Sequence, residues 1–194
     1  MFKGAVLLCA GVALAQTGGV TTRLDRPGGP LYASIGGGEK KIADSAEKAW
    51  VIADGQAIVY SGKDGAGGYE QEGQSLYRYD VKSGDRTKIM AEYFVVQNVR
   101  EARTTDGKPA LLVDMVDGGM GASHLAVVDP ARGEVFCEDG ARLGGIQGDT
   151  ITLNYYGDDD WDMLNDNQEV KPQKTEQYDL RQVLTRAVMK NNPT

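Results

Sequence analysis

The chain has 194 residues, with 28 acidic side chains against 21 basic ones and a formal charge of −7 at neutral pH. A charged fraction of 25% beside a hydrophobic fraction of 41% belongs to a chain that buries a core, which excludes a disordered or fibrous polymer. The length accommodates one domain or at most two small ones. The negative balance, with no basic stripe anywhere in the sequence, excludes a nucleic-acid partner, because phosphate binding needs a cationic surface that displaces counterions.

At the N-terminus one cation, Lys3, precedes an apolar run from Ala5 to Leu14, with small residues at Ala13 and Ala15. This is the layout of a secretory signal, residues 1–15, cleaved between Ala15 and Gln16. It predicts an exported protein, periplasmic or extracellular. The run is shorter than the roughly 20 residues a membrane span requires, so no span is expected in the mature chain. Leu8 stands where a lipoprotein signal needs a small residue, which excludes lipidation of Cys9. Cleavage leaves Cys137 as the sole cysteine and excludes an internal disulfide. Following Val135 and Phe136, Cys137 reads as a small buried hydrophobe. Residues 16–30 are rich in Gly, Thr and Pro without periodicity and read as a flexible leader.

Residues 31–194 read as one all-β domain of antiparallel repeats. LYRYDVKSGDRTKI at 76–89 aligns with LAVVDPARGEVF at 125–136, so that Leu76 and Leu125, Asp80 and Asp129, and Gly84 and Gly133 are each 49 residues apart. A weaker copy, YDLRQVL, lies at 178–184, and a degenerate one, LYASIGGGEKKI, at 31–42. Between them Asp54-Gly55, Asp106-Gly107 and Gly148-Asp149 each adjoin a β-rich run, AIVY, ALLV or TITLNYY. Such dipeptides mark hairpins because the tight turn needs residues that accept positive φ. Leu76, Arg78 and Asp80 alternate with Tyr77, Tyr79 and Val81, as in a half-buried strand. Each unit therefore reads as four antiparallel strands at a period of roughly 50 residues.

The hairpins at 76–85 (L-Y-x-Y-D-x-x-x-G-[DE]) and 125–134 (LAVVDPARGE) resemble the blades of secreted β-propellers of the TolB-like or WD-repeat kind. The resemblance covers residues 31–185 as a pattern and implies a partial or small propeller. It is one of architecture, which does not determine function. The one Trp-Asp pair, Trp161-Asp162, falls in an acidic loop instead of closing a strand. A ring needs about four to eight blades, whereas this stretch supplies about three and a fraction. Three solutions remain: a homodimer completing one ring, terminal copies sharing a blade in a four-bladed ring, or an open meander or sandwich. In the tail, Leu180, Val183, Leu184, Ala187 and Val188 follow helical spacing, with Asp179 and Gln182 placed as a capping box, so that 178–189 reads equally as strand or helix.

Polar residues collect in the loop after the second strand of each unit: 62–74, 116–123 and 157–174. In repeat folds equivalent insertions emerge on one edge, commonly the binding face. That face would carry Asp64, Glu70, Glu72 and Asp117, with Tyr69 and Trp161 as exposed aromatic anchors. In the third loop Asp158, Asp160, Asp162, Asp166 and Glu169 take positions 1, 3, 5, 9 and 12 of a window that would suit Ca2+. Met163 stands where an EF-hand needs Gly, and an acidic solubilising loop is the competing reading.

Catalytic patterns are sparse. His124, the only histidine, adjoins Ser123, but strand neighbours point to opposite faces. The S-x-x-K at Ser45–Lys48 lacks its S-D-N and K-T-G partners, and one His with one mature Cys cannot build a zinc centre. The sequence thus predicts an exported, non-catalytic repeat protein binding a protein, peptide or glycan through its acidic, Gly-rich loop face. A carboxylate-based envelope hydrolase and a purely structural envelope component are the alternatives.

Overall fold

A computed structural model of the chain describes residues 16–17, 19–63, 73–91, 94–117, 121–166 and 168–189. The chain is all-β. Its first sheet contains β1 (Gln16–Thr17), β2 (Val20–Leu24), β3 (Gly29–Ile35) and β4 (Gly38–Ala46). The second contains β5 (Lys48–Ile52), β6 (Ala57–Gly62), β7 (Ser75–Asp80) and β8 (Arg86–Ala91). The third contains β9 (Val95–Arg103), β10 (Pro109–Val116), β11 (Ser123–Asp129) and β12 (Gly133–Asp139). The fourth has three strands, β13 (Ala141–Gln147), β14 (Thr150–Tyr155) and β15 (Lys174–Asp179). Every sheet is an antiparallel meander whose spatial order is its chain order, and together they fit a propeller-like fold.

The repeat is visible as geometry. Leu76 and Leu125 are fully buried on the third strands of their sheets. Asp80 accepts the N–H groups of Lys82 and Ser83, and Asp129 those of Ala131 and Arg132, so each aspartate closes the following turn. Gly84 (φ +80°) and Gly133 (φ +122°) then supply the left-handed residue that reverses the chain. The Asp-Gly and Gly-Asp dipeptides sit in the β5–β6, β9–β10 and β13–β14 turns.

Alternation divides each inner sheet between two cores. On the third sheet, Leu111, Val113 and Met115 pack toward Val59, Leu76 and Met90 of the second. Ala110 and Leu112 pack the other way, with Ile151 and Leu153 of the fourth sheet. Leu31 and Ala33 of the first sheet meet Ile58, Tyr60 and Tyr79 of the second. Among the described residues the three cores join neighbours in chain order, and none joins the first sheet to the fourth. Outward, the first sheet presents Arg23 stacked over Tyr32 and paired with Glu39, and the fourth presents Asn154 and Thr175.

Three expectations change. Residues 16–30 are not a leader: Val20, Thr22 and Leu24 alternate inward, and the segment supplies β1, β2 and the start of β3. This first sheet brings the expected count of about three and a fraction to four consecutive sheets. The tail is strand and then helix. Asp179 ends β15 and caps α2 (Leu180–Val183) by accepting the Arg181 N–H. Val183 stands where the other copies have Gly84 and Gly133, so no left-handed turn forms and the helix replaces a fourth strand. Leu180, Val183 and Leu184 fill the core between the third and fourth sheets. The signal-like residues 1–15 lie outside the described residues. Among the described residues no helix is long and apolar enough to cross a membrane.

Candidate functional site

The first strand of each sheet after the first is an edge, hydrogen-bonded on one side only. β2 packs beside β5, and β5 beside β9, so these strands converge on one face. Two β-bulges reshape it, one in β9 that sets Gln97 apart and one in β13 at Gly144. Between β2, β5 and β9 lies a cavity of 590 Å3, lined by Leu24, Arg26, Glu47, Lys48, Trp50 and Gln97 among others. Lys48 Nζ donates to both the backbone oxygen and Oε1 of Gln97, at 3.0 Å each. Burial pushes the Lys48 ammonium below the ordinary lysine range.

Gln97 also borders a second cavity of 260 Å3, where Asn98, Arg100, Asp114, Ser123 and Arg142 stand around one hollow between the third and fourth sheets. Arg142 Nε donates to Ser123 Oγ at 2.9 Å and one Nη to Asn165 Oδ1 at 3.0 Å, while the guanidinium lies over the Trp161 ring. Arg100 reaches Asp114 at 3.4 Å. Burial raises the Asp114 carboxyl above its usual range, against the pull of Arg100 and Arg142. The two hollows present guanidinium, ammonium, amide and carboxylate groups beside apolar residues such as Trp50, Met115 and Leu143, a lining of the kind found in ligand sites.

His124 borders this second cavity from the opposite face of its strand. Its Nδ1 is 2.8 Å from Asp139 Oδ1, its ring stacks on Phe94 at 3.7 Å, and among the described residues its buried Nε2 has no hydrogen-bond partner. Ser123 Oγ turns instead to Arg142, so the two neighbours do point apart. Cys137 is half-buried against the core between the second and third sheets.

The residues expected on the loop face fare differently. Asp64, Tyr69, Glu70 and Glu72 lie outside the described residues. Asp117 opens the β10–β11 loop, donating its N–H to Ala122 O and accepting from Gly121 N. That loop meets the β14–β15 loop through Asn165, which donates to Gly121 O, so these two insertions share an edge. Trp161 is not an exposed anchor. It is 3% exposed, edge-on to Tyr156 and beneath Arg142, because the indole serves as the loop's own core. Within the Ca2+ window, Asp158–Asp160 form a 3-10 turn and Trp161–Asn165 a helix, α1. Asp160 turns back to accept the Gly157 N–H at 2.8 Å. Among the described residues no three Asp, Glu, His or Cys side chains gather around a point.

Sequence reasoning missed Lys48, Trp50, Gln97, Arg100, Asp114 and Arg142 as a set. One signal was present: Asp114 interrupts the apolar run ALLVDMV, and an acid inside a buried strand needs a reason.

No family model matches the chain, and no curated protein matches it. Among solved structures it is similar to the β-propeller domain of the trilobed protease from Pyrococcus furiosus, which is described as having an open velcro topology. The TM-score is 0.48 at 16% identity, over 73% of this chain and 46% of that one, so the chain spans under half the length of that structure.

Proposed function

We propose that this protein is a non-catalytic binding module of an exported compartment, and that it holds an extended peptide along the face formed by β2, β5 and β9. The observation that carries the reading is the 590 Å3 cavity lined by apolar Trp50 and Leu24 together with charged Lys48, Glu47 and Arg26. That volume lies within the about 300–1,000 Å3 of ordinary ligand sites, and a tryptophan beside paired polar groups is the usual anchor of such contacts. A peptide is favoured over a glycan because β5 and β9 are edge strands, hydrogen-bonded to a neighbouring strand on one side only, which suits a chain carrying its own N–H and C=O groups. The binding face thereby moves from the acidic loops to the first strands. Export rests on the signal-like N-terminus alone.

The test is an array of random hexapeptides probed with labelled protein starting at Gln16. Trp50→Ala and Lys48→Met should each weaken the bound set about tenfold or more. Unchanged array patterns in both variants, at unchanged melting temperature, would overturn the assignment.

A further inference from the structure

The second cavity holds two guanidinium groups and one carboxylate, a local excess of one positive charge on a chain of net charge −7. Arg142 is locked by Ser123, Asn165 and Trp161, which engage its Nε, one Nη and the face of its guanidinium. No acceptor among the described residues bonds its other Nη. Arg100 touches Asp114 at 3.4 Å, outside good hydrogen-bond length, and among the described residues no acceptor bonds its remaining donors. One held guanidinium, Arg142, and a second, Arg100, with spare donors lining the same hollow are an arrangement that suits a planar carboxylate. A dianionic phosphate fits less well, since Asp114 sits in the same hollow.

At 260 Å3 the hollow is below the size of ordinary ligand sites, yet it adjoins the larger groove through Gln97. Resting on the peptide reading above, we infer that this hollow receives the free C-terminal carboxylate of the bound peptide, held between Arg100 and Arg142, with the preceding residues running past Gln97 toward Trp50. Specificity for a chain end then follows from charge: an internal segment offers no carboxylate there unless it places an Asp or Glu side chain in the hollow.

The hexapeptide array separates these sources when printed in two orientations, one with free C-termini and one tethered through them. Binding at least tenfold stronger to free C-termini is expected, and Arg100→Gln should abolish that preference, bringing the two orientations to equal binding. Arg142→Gln should act in the same way. Where the lost contacts of Arg142 to Ser123 and Asn165, or of Arg100 to Asp114, lower the melting temperature, the ratio of free to tethered binding, read below that temperature on the same folded sample, remains the measure. Equal binding in both orientations would overturn the inference and leave the peptide reading standing, as would selection of internal Asp or Glu. Absence of binding in either orientation would overturn both.

Discussion

Thr105 gives both its backbone N–H and its hydroxyl to the two carboxylate oxygens of Asp149, at 2.6 and 2.5 Å. The contact joins the β9–β10 turn of the third sheet to the β13–β14 turn of the fourth. Arg181, in α2, approaches the same carboxylate at 2.9 Å. The preceding pair of sheets is joined nearby, where the Ala53 N–H reaches Glu101 Oε2 at 2.9 Å. The repeated turns therefore act as fasteners between sheets as well as reversals within them.

Asp149→Ala should destabilise the protein by about 2–3 kcal/mol, because it strips a charged acceptor from the Thr105 N–H and hydroxyl together. Urea unfolding gives the number. Asp149→Asn, which keeps one acceptor, should lose less.

The hairpin aspartates set the acid limb of stability. Accepting the Ser83 and Lys82 N–H groups, with help from Arg78, holds the Asp80 carboxyl below the usual range. For Asp129, burial works upward, but Arg132 and the Ala131 N–H outweigh it and its carboxyl is also lowered. A lowered folded-state pKa contributes stability that is present above the ordinary carboxylate value and lost as pH falls through the folded one. Urea midpoints followed from about pH 5 to pH 2 should fall less steeply in Asp80→Asn and Asp129→Asn than in the parent protein.

Gly133→Ala should cost about 1–3 kcal/mol. Its φ is +122°, and a methyl group there would stand 3.3 Å from both Ile89 O and Val188 Cγ1. Thermal melting of this variant beside Gly107→Ala, a positive-φ site with open space around it, separates crowding from backbone strain.

Arg100→Gln should push the Asp114 carboxyl further up, because burial already raises it and Arg100 is the first of the cations opposing that rise. A raised folded-state pKa means that the folded chain holds its proton longer than the unfolded one. The destabilisation therefore grows as pH climbs from the ordinary carboxylate value through the folded one, and it vanishes at lower pH. NMR titration of the Asp114 side chain checks the shift, and stability at neutral against acid pH checks the sign.

Leu180→Ala should cost about 2–5 kcal/mol, since the side chain is fully buried and α2 closes the last core in place of a strand. A loss under 1 kcal/mol in urea unfolding would mean that the helix only covers a core complete without it.

The all-β class, the four-strand unit and its turns were legible in the sequence because they rest on local chemistry. Asp80 and Asp129 bond residues two and three ahead, Gly84 and Gly133 accept positive φ, and strand alternation follows from a period of two. What local chemistry leaves open is which edges meet. The same Gly/Thr/Pro composition in 16–30 fits a leader or an edge sheet until a neighbouring sheet buries Val20 and Leu31. Trp161 fits an exposed anchor or a loop core until Tyr156 and Arg142 close on it. Lys48 and Gln97, 49 residues apart, became neighbours only when β5 came to lie against β9, and Arg100, Asp114 and Arg142 share a hollow only because the third and fourth sheets pack face to face. The repeat thus belongs to the sequence, since each hairpin satisfies its own backbone. The site belongs to the tertiary structure, since it lies between hairpins, where the burial of apolar faces decides which polar edges are brought together.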